Sequence, residues 1–236
     1  KGSPLANGKN RNHMRRKIVI IGGGASGLFL SSLLPSALLL EKNKEVGRKL
    51  LITGGGKCNL THNEEIRDLV CRYYDKKRFV SPSLYSFGPE RIREYFASLC
   101  LETYIRDDGK VFPVSENSRD VVAALSKGDV SLDTNVLDIE RIDDYFLLTT
   151  NKGKIETEKL IISTGGVSFP QTGSDGKVFP LISKLGHRII PTRPALCGLR
   201  TREDLGRLEG ITVEKVLLKY KKTKREGSLL FTHNGI

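Results

Sequence analysis

The stretch KIVIIGGGASG, residues 17–27, decides the fold of this chain. Its first half, KIVII, is a short run of β-branched apolar residues, which is typical of a strand buried on both faces of a parallel sheet. The six residues that follow carry glycines at positions 22, 24 and 27, the GxGxxG spacing of a dinucleotide-binding turn. A helix is predicted to begin inside this motif, so the stretch predicts a strand, a tight turn and a helix in succession.

The three glycines of the motif have different physical tasks. Gly22 permits the tight turn, Gly24 lets backbone N–H groups approach a pyrophosphate, and Gly27 lets the helix pack closely on the strand. The pyrophosphate of a bound dinucleotide would lie at the positive end of the helix dipole. The predicted phosphate-binding residues are therefore Gly22, Gly23, Gly24, Ala25, Ser26 and Gly27.

A second strand and an acidic residue follow the helix at the expected distance. The helix is predicted to stop near Pro35, and ALLLE then supplies an apolar strand that ends at Glu41, 19 positions after Gly22. A carboxylate at this position accepts hydrogen bonds from the ribose hydroxyls of a dinucleotide. It also repels a 2′-phosphate, so Glu41 disfavours NADP in this pocket and leaves NAD or FAD.

A membrane anchor is the main alternative for the same segment. Arg15, Arg16 and Lys17 precede an uncharged run, residues 18–40, that is long enough to cross a bilayer. Three consecutive glycines and Pro35 interrupt this run, which suits a strand, a turn and a short helix better than one continuous helix. We therefore predict a cytoplasmic protein with no membrane partner.

The composition is that of a basic globular protein. The formal net charge is +12, and it becomes +9 if residues 1–13, which we interpret as an expression scar before Met14, are left out. Such a charge favours anionic ligands and keeps nucleic acid as a possible partner. The four cysteines show no CxxC pair, and no histidine stands at metal-ligand spacing from them, so we expect reduced thiols and neither a zinc site nor a disulfide framework.

The rest of the chain continues the α/β pattern. Helices are predicted from Pro89 to about Leu99 and after a capping box formed by Thr61 and Glu64. Residues 131–163 show short apolar runs separated by turns, which predicts a β-meander before a return strand, LIIS, into the parallel sheet. That strand leads into Thr164, Gly165 and Gly166, where the backbone can approach a ligand.

The character of the sequence changes again from about Pro191. A strand is predicted from Val213 to Tyr220, followed by a basic run at residues 221–225. The usual meaning of such a run is a solvated hairpin tip, and nucleic-acid contact is the less favoured alternative. We predict two domains after the scar, a dinucleotide-binding domain at 14–192 and part of a β-rich domain at 193–236.

Together these motifs resemble the BaiN/YhiN-like family of FAD-dependent oxidoreductases over essentially all of residues 15–236. The matching segments are GGGASG (22–27), LLEK (39–42), GRKLLITGGGKCNLT (47–61), GKVFP (109–113), STGGVSFPQTGSDG (163–176), GHRI (186–189), PALCGL (194–199) and LLFTHNGI (229–236). The GGGKCN block is the most specific of these segments.

This resemblance implies an α/β, Rossmann-like FAD-binding domain with a parallel sheet and a β-meander, followed by the start of an inserted β-rich domain. The family pattern continues past FTHNGI, so the resemblance also implies a chain that is truncated within that inserted domain. Carried over by position, the cofactor contacts beyond the phosphate loop are Glu41, Lys42, Lys49, Gly54, Gly55, Gly56, Lys57, Cys58, Asn59, Val136, Thr164, Gly165 and Gly166.

The function that the resemblance implies is transfer of electrons from NAD(P)H through FAD to a small organic acceptor. No residue is identified as catalytic. The block around Lys57 lacks the upstream Gly and the following Ser or Thr of a phosphate-binding P-loop. Cys58 has no partner thiol nearby, so we interpret it as a small packing residue in a tight loop, and a reactive thiol whose pKa is lowered by Lys57 is the less favoured alternative. The alternatives are a flavin-binding RNA-associated protein and a non-catalytic FAD or nucleotide module.

Overall fold

A computed structural model describes residues 13–193 and 198–236 of the chain. The chain divides into two compact units, one that ends at Ile189 and one that runs from Ile190 to Ile236. The predicted scar at 1–13 lies outside the described residues except for His13, and Cys197 also lies outside them. The assignment of the second unit to an inserted domain stays a prediction.

The first unit is built on a six-stranded sheet with the strand order β6-β2-β1-β9-β8-β7. β1, β2, β6 and β9 run parallel to one another, and β8 and β7 continue the sheet in antiparallel order. The strands of this unit are β1 (Met14–Ile21), β2 (Leu38–Leu40), β3 (Thr61–His62), β4 (Thr103–Ile105), β5 (Lys110–Pro113), β6 (Asp129–Ser131), β7 (Val136–Ile142), β8 (Tyr145–Thr150) and β9 (Gly153–Ile162).

The predicted meander and the predicted return strand share one strand. β9 pairs antiparallel with β8 near its start and parallel with β1 along nearly its whole length, from Met14↔Ile155 to Ile21↔Ile162. The predicted return of LIIS to the parallel sheet is confirmed. The structure extends this strand back to Gly153, so the last strand of the meander is itself the return strand.

Helices cover both faces of the sheet and enclose two apolar clusters. Alternate residues of the strands face opposite sides, so Ile20 and Leu39 pack with α1, α5 and α6, while Val19 and Leu38 pack on the other face with the meander and α7. The helices are α1 (Ala25–Leu33), α2 (Arg48–Ile52), α3 (Ile66–Cys71), α4 (Lys77–Ser86), α5 (Pro89–Ser98), α6 (Ser118–Leu125) and α7 (Phe179–Lys184).

A small antiparallel sheet in the order β3-β5-β4 lies beside these helices. It corrects the predicted capping box, because Thr61 is a strand residue of β3 and the residue that precedes α3 is Glu65. Glu64 instead forms a bidentate ion pair with Arg72, with an Nη2–Oε1 distance of 2.5 Å. The Ser/Thr-x-x-Glu spacing was therefore present without the local geometry that a cap needs.

The second unit contains a two-stranded antiparallel hairpin of β10 (Thr212–Tyr220) and β11 (Thr223–Leu230). Its turn at Lys221 and Lys222 confirms that the basic run surrounds a hairpin tip. Within residues 13–193 and 198–236, no helix combines the length and apolarity needed to cross a membrane. The uncharged run at 18–40 is divided among β1, α1 and β2.

Candidate dinucleotide-binding site

A cavity of about 450 Å³ opens where the carboxyl ends of the parallel strands meet. The last residues of β1, β2 and β9 are in register, with Ile21 paired to both Leu40 and Ile162. The loops that leave these strands form the cavity walls, together with the first residues of α1. In open parallel sheets, ligands bind at the carboxyl ends of the strands, at the point where the strand order reverses.

Gly24 lies on the cavity wall at the N-cap of α1. Its backbone has φ −81° and ψ −168°, a conformation that any residue can adopt. A Cβ atom at Gly24 would meet no protein atom within 4 Å. Neither backbone conformation nor protein packing therefore requires glycine here, and the space beside Gly24 is free for a ligand to approach the helix N-terminus.

Gly27 has a different structural role. A Cβ atom at this position would lie 1.9 Å from the carbonyl oxygen of Gly22 and 2.7 Å from Ser163 Oγ. Gly27 is buried, and it does not belong to the residues that line the cavity. It brings α1 against β1 and β9, and so it sets the position of the helix N-terminus relative to the sheet.

Glu41 connects the glycine loop to the loop after β2. Its Oε2 accepts a hydrogen bond of 2.8 Å from the backbone N–H of Gly23. Its Oε1 accepts hydrogen bonds from the backbone N–H of Asn43 at 2.8 Å and from Asn43 Nδ2 at 2.6 Å. A carboxylate offers roughly four acceptor positions, so these three bonds leave Glu41 able to accept a hydrogen bond from a ribose hydroxyl, as the sequence predicts.

One wall of the cavity is formed by the loop after β2 together with α2, and the opposite wall is the segment after β9. Two lysines of the first wall contact the second. Lys42 Nζ lies 3.0 Å from Asp175 Oδ2. Lys49 Nζ donates to Ser174 Oγ at 2.8 Å and to the backbone oxygen of Ser168 at 2.7 Å. The two ammonium groups thus connect the two sides of the cavity.

The structure brings most of the predicted cofactor contacts to this one cavity. The predicted residues that line it are Gly22, Gly23, Gly24, Ala25, Ser26, Glu41, Lys42, Lys49, Val136, Thr164 and Gly165. Among the described residues, Gly27, Gly166 and the loop at 54–59 are not part of its lining. A cofactor role for that loop stays a prediction, although the preceding residue, Thr53, does line the cavity.

The GGGKCN block has a structural explanation of its own. Gly54, Gly55 and Gly56 all have positive φ, and so does Cys58 at 62°. The Cys58 side chain is only 1% exposed and packs in the cluster that contains Ile20 and Leu28. Burial raises the pKa of the Cys58 thiol, an effect that a hydrogen bond with Thr53 partly offsets. These features match a packing cysteine.

Lys57 points away from the core, to a polar network on the small sheet. Its Nζ lies 2.5 Å from Glu116 Oε2, and Tyr104 donates its hydroxyl to the same carboxylate. Hydrogen bonds from Lys57 and Tyr104 lower the pKa of Glu116, and the bond to Glu116 raises the pKa of Tyr104.

Within residues 13–193 and 198–236, no group of three or more His, Cys, Asp or Glu side chains is placed to hold a metal ion.

Sequence reasoning missed two groups of lining residues. One group flanks Glu41 and α2, and the other follows the return strand; they include Asn43, Arg48, Thr134, Asn135, Ser163, Thr172, Gly173, Ser174 and Asp175. The second group lies in the glycine-rich TGSDG stretch after a parallel strand, a signal that was visible in the sequence. The first group carries no such pattern and is identified only by its packing around Glu41.

Comparison with protein families gives a match over nearly the whole chain. Residues 16–233 match the family described as HI0933-like protein Rossmann domain. A 3-dehydro-bile acid delta(4,6)-reductase from Clostridium scindens is 30% identical over 79% of this chain and 48% of its own length. A ribosomal RNA dihydrouridine synthase from Escherichia coli is 29% identical over 92% of this chain and 57% of its own length. The chain thus spans about half the length of these curated relatives.

Solved structures with a similar arrangement include a glycine oxidase from Geobacillus kaustophilus. It is 14% identical over 73% of this chain and 59% of its own length, with a TM-score of 0.38. THI4 from Thermovibrio ammonificans is 10% identical over 66% of this chain and 59% of its own length, with a TM-score of 0.41. Similarities at this level carry no information about function.

Proposed function

Because the chain belongs to the HI0933-like Rossmann family of BaiN/YhiN-like FAD-dependent oxidoreductases, we propose that it binds FAD in the cavity at the ends of β1, β2 and β9. We further propose that the protein of which these residues are part passes electrons from NAD(P)H through FAD to a small organic acceptor. Bound FAD would supply the redox chemistry, and the chain would supply binding, orientation and electrostatics.

The observation that carries the proposal is the open space beside Gly24. A glycine that the backbone does not need, at the N-terminus of the helix that follows the parallel strand, leaves room for a pyrophosphate to reach the first N–H groups of α1. Glu41 supports the same assignment, because its remaining acceptor capacity lies next to that space. Lys42 and Lys49 line the same cavity and make it electropositive, which favours an anionic cofactor.

Thermal unfolding with FAD, NADH or NADPH tests the cofactor directly. FAD at a hundredfold its dissociation constant should stabilise the chain by about 2.7 kcal/mol. An unchanged unfolding temperature with FAD would contradict the proposed site. NADH and NADPH are then mixed with the FAD-loaded protein under anaerobic conditions, and bleaching of the flavin absorbance identifies the electron donor. A protein that retains FAD but is reduced by neither would be a non-catalytic module.

A second candidate function, an RNA-associated flavoprotein, is favoured by the β10–β11 hairpin. Lys221 Nζ lies 5.5 Å from the centre of the Tyr220 ring, which is 73% exposed, and the neighbouring basic residues are also exposed. Exposed aromatic rings beside cations are the surfaces that bind single-stranded nucleic acid. The ribosomal RNA named in the Escherichia coli relative suggests which polymer to test.

RNA binding is tested with short single-stranded RNA over a range of salt concentrations. Binding through phosphate contacts should weaken about tenfold or more with moderate added salt. Replacement of Lys221 and Lys222 by Gln should reduce both the affinity and its salt dependence. Absence of binding at low salt would remove this candidate without affecting the proposed FAD site.

A further inference from the structure

Residues 166–175, which we call the strap, form a compact loop along one wall of the cavity. The two glycines that bracket it, Gly165 and Gly176, have φ of +75° and +72°, in the left-handed region that favours glycine. A Cβ at Gly165 would lie 2.8 Å from Ser174 Oγ, and a Cβ at Gly176 would lie 2.8 Å from Val167 Cγ1. The two ends of the strap are therefore close together, as in a compact surface loop.

The strap has hydrogen bonds of its own. The backbone N–H of Thr172 donates to the Phe169 oxygen at 2.9 Å, and the N–H of Gly173 donates to the Pro170 oxygen at 2.9 Å. The outer residues, 166–171, are exposed, whereas 172–175 are half-buried and line the cavity. A loop that is bonded internally and flanked by a glycine at each end can move as one body about its ends.

Three side-chain bonds hold the strap to the opposite wall. Lys42 pairs with Asp175 at 3.0 Å, and Lys49 donates to the Ser174 hydroxyl and to the Ser168 carbonyl. Gly173 lies directly against Asn43, since a Cβ there would be 2.8 Å from Asn43 Nδ2. Asn43 is in turn bonded to Glu41, so the strap is held against the part of the wall proposed to bind ribose.

The contacts of Asp175 keep its carboxylate charged at neutral pH. Burial acts to raise the pKa of Asp175, but hydrogen bonds from Lys42 and the backbone N–H of Lys177, with the charges of both lysines, lower it below its usual range. Asp175 therefore carries its negative charge at neutral pH. The three bonds that Lys42 and Lys49 make to the strap, which we call the latch, lie at a partly solvated surface. Each is weak enough to break and form repeatedly.

We propose that the strap is a gate on the cofactor cavity, and that Lys42 and Lys49 latch it closed. In this proposal the two lysines are positioning residues that hold the strap across the cavity. Opening of the strap limits both the uptake and the release of the cofactor. The proposal rests on the proposed FAD site for the identity of the ligand. The latch itself is a property of the chain without ligand, so it can be tested separately.

Hydrogen exchange of the ligand-free protein gives the first test. Lys49→Met removes two of the three latch bonds, and Asp175→Asn weakens the third. We expect amides of the strap, Thr172 and Gly173 above all, to exchange about 3- to 10-fold faster in both variants, with the central strands unchanged. Lys184→Met is the matched control, because it removes a salt bridge of 2.8 Å between Lys184 and Asp138, neither of which belongs to the strap.

FAD kinetics give the second test. If the lysines form a latch, their loss should raise both the association and the dissociation rates of FAD, each about 3- to 10-fold, because the gate is open more often. If they bind the cofactor phosphates, their loss should raise the dissociation rate, should not accelerate association, and should leave strap exchange in the free protein unchanged. That second pattern would overturn the proposal.

The two tests separate failure of the gate from failure of the proposed function. If the wild-type chain binds no FAD, the proposed cofactor is wrong, and exchange in the free protein still decides whether a latch exists. If FAD binds and neither strap exchange nor association changes in Lys49→Met and Asp175→Asn, the site stands and the gate is rejected.

Discussion

Gly24 and Gly27 belong to the same motif but have different roles: Gly24 leaves space for a ligand, and Gly27 allows close packing of α1 on the sheet. The sequence spacing predicted both roles, and the structure supplies the distances that distinguish them. We expect Gly24→Ala to change the free energy of unfolding by at most about 1 kcal/mol in either direction, because its backbone conformation accepts alanine but alanine is a poorer N-cap residue than glycine. FAD affinity should fall by about tenfold or more, since the methyl group occupies the space beside the helix N-terminus.

Gly27→Ala is the opposing control for that experiment. Its methyl group would overlap the Gly22 carbonyl, so it should destabilise the free protein by about 1–3 kcal/mol or more. Urea denaturation and FAD titration of both variants check the pair. A loss of more than about 2 kcal/mol in Gly24→Ala, or full FAD affinity in a well-folded Gly24→Ala, would contradict the assignment of this space to the cofactor.

Cys58 allows a prediction about pH. Because its pKa is raised in the folded protein, the unfolded chain releases the thiol proton first as pH rises through the ordinary value of 9.0. The folded state then binds more protons than the unfolded state, so the Cys58 contribution to stability is present below pH 9.0 and is lost as pH rises through the folded pKa. The free energy of unfolding should therefore fall more steeply above pH 9.0 in the wild type than in Cys58→Ala.

Thiol labelling checks the burial of Cys58 independently. Exposed Cys71 and Cys100 should react with a thiol reagent in the folded protein, whereas Cys58 should react only when the protein unfolds. Parallel slopes of stability against pH in the wild type and Cys58→Ala, together with labelling of Cys58 as rapid as that of Cys71 and Cys100, would favour a reactive site at the GGGKCN loop.

At the scale of elements, local patterns predicted β1, α1 and β2 well because each had a single consistent signal. The apolar run, the glycine spacing and Pro35 all indicated the same boundaries. β9 extends further back than the predicted strand LIIS, because the pairing of its first half with β1 and β8 is not visible in one segment. The Thr61–Glu64 spacing failed because pairing with β5 determines the conformation of Thr61.

β2 shows how a short element positions the site. Its three leucines are buried, and the strand carries Glu41 at its end between β1 and β6. Leu39 is 0% exposed, so Leu39→Ala should cost about 2–5 kcal/mol in the free energy of unfolding. It should also weaken FAD binding, because Glu41 loses its support.

Leu33→Ala is the matched control for β2, since Leu33 in α1 is 42% exposed and the same atoms are removed. It should cost about 1 kcal/mol or less. Urea denaturation at constant m-value measures both changes. Equal costs for the two variants would mean that β2 is not part of the stable core.

At the scale of the whole molecule, the cavity belongs to the first unit and the exposed basic hairpin to the second. The basic composition predicted an anionic ligand but not where the charge would lie, because charge counts carry no spatial information. The structure places one set of cations on the cavity wall and another around the β10–β11 turn. These two sets correspond to the proposed cofactor site and to the second candidate function, so each can be removed without the other.

All described residues that line the cavity belong to the unit that ends at Ile189. A fragment of residues 14–189 should therefore bind FAD with a dissociation constant within about threefold of that of the 236-residue chain, because binding strength follows from the contacts made in the cavity. Circular dichroism establishes whether the fragment is folded, and FAD titration measures its affinity. Gly24→Ala in the same fragment should reproduce the loss of affinity seen in the whole chain. A folded fragment that binds FAD more than tenfold more weakly would show that residues 190–236 contribute to the cofactor site.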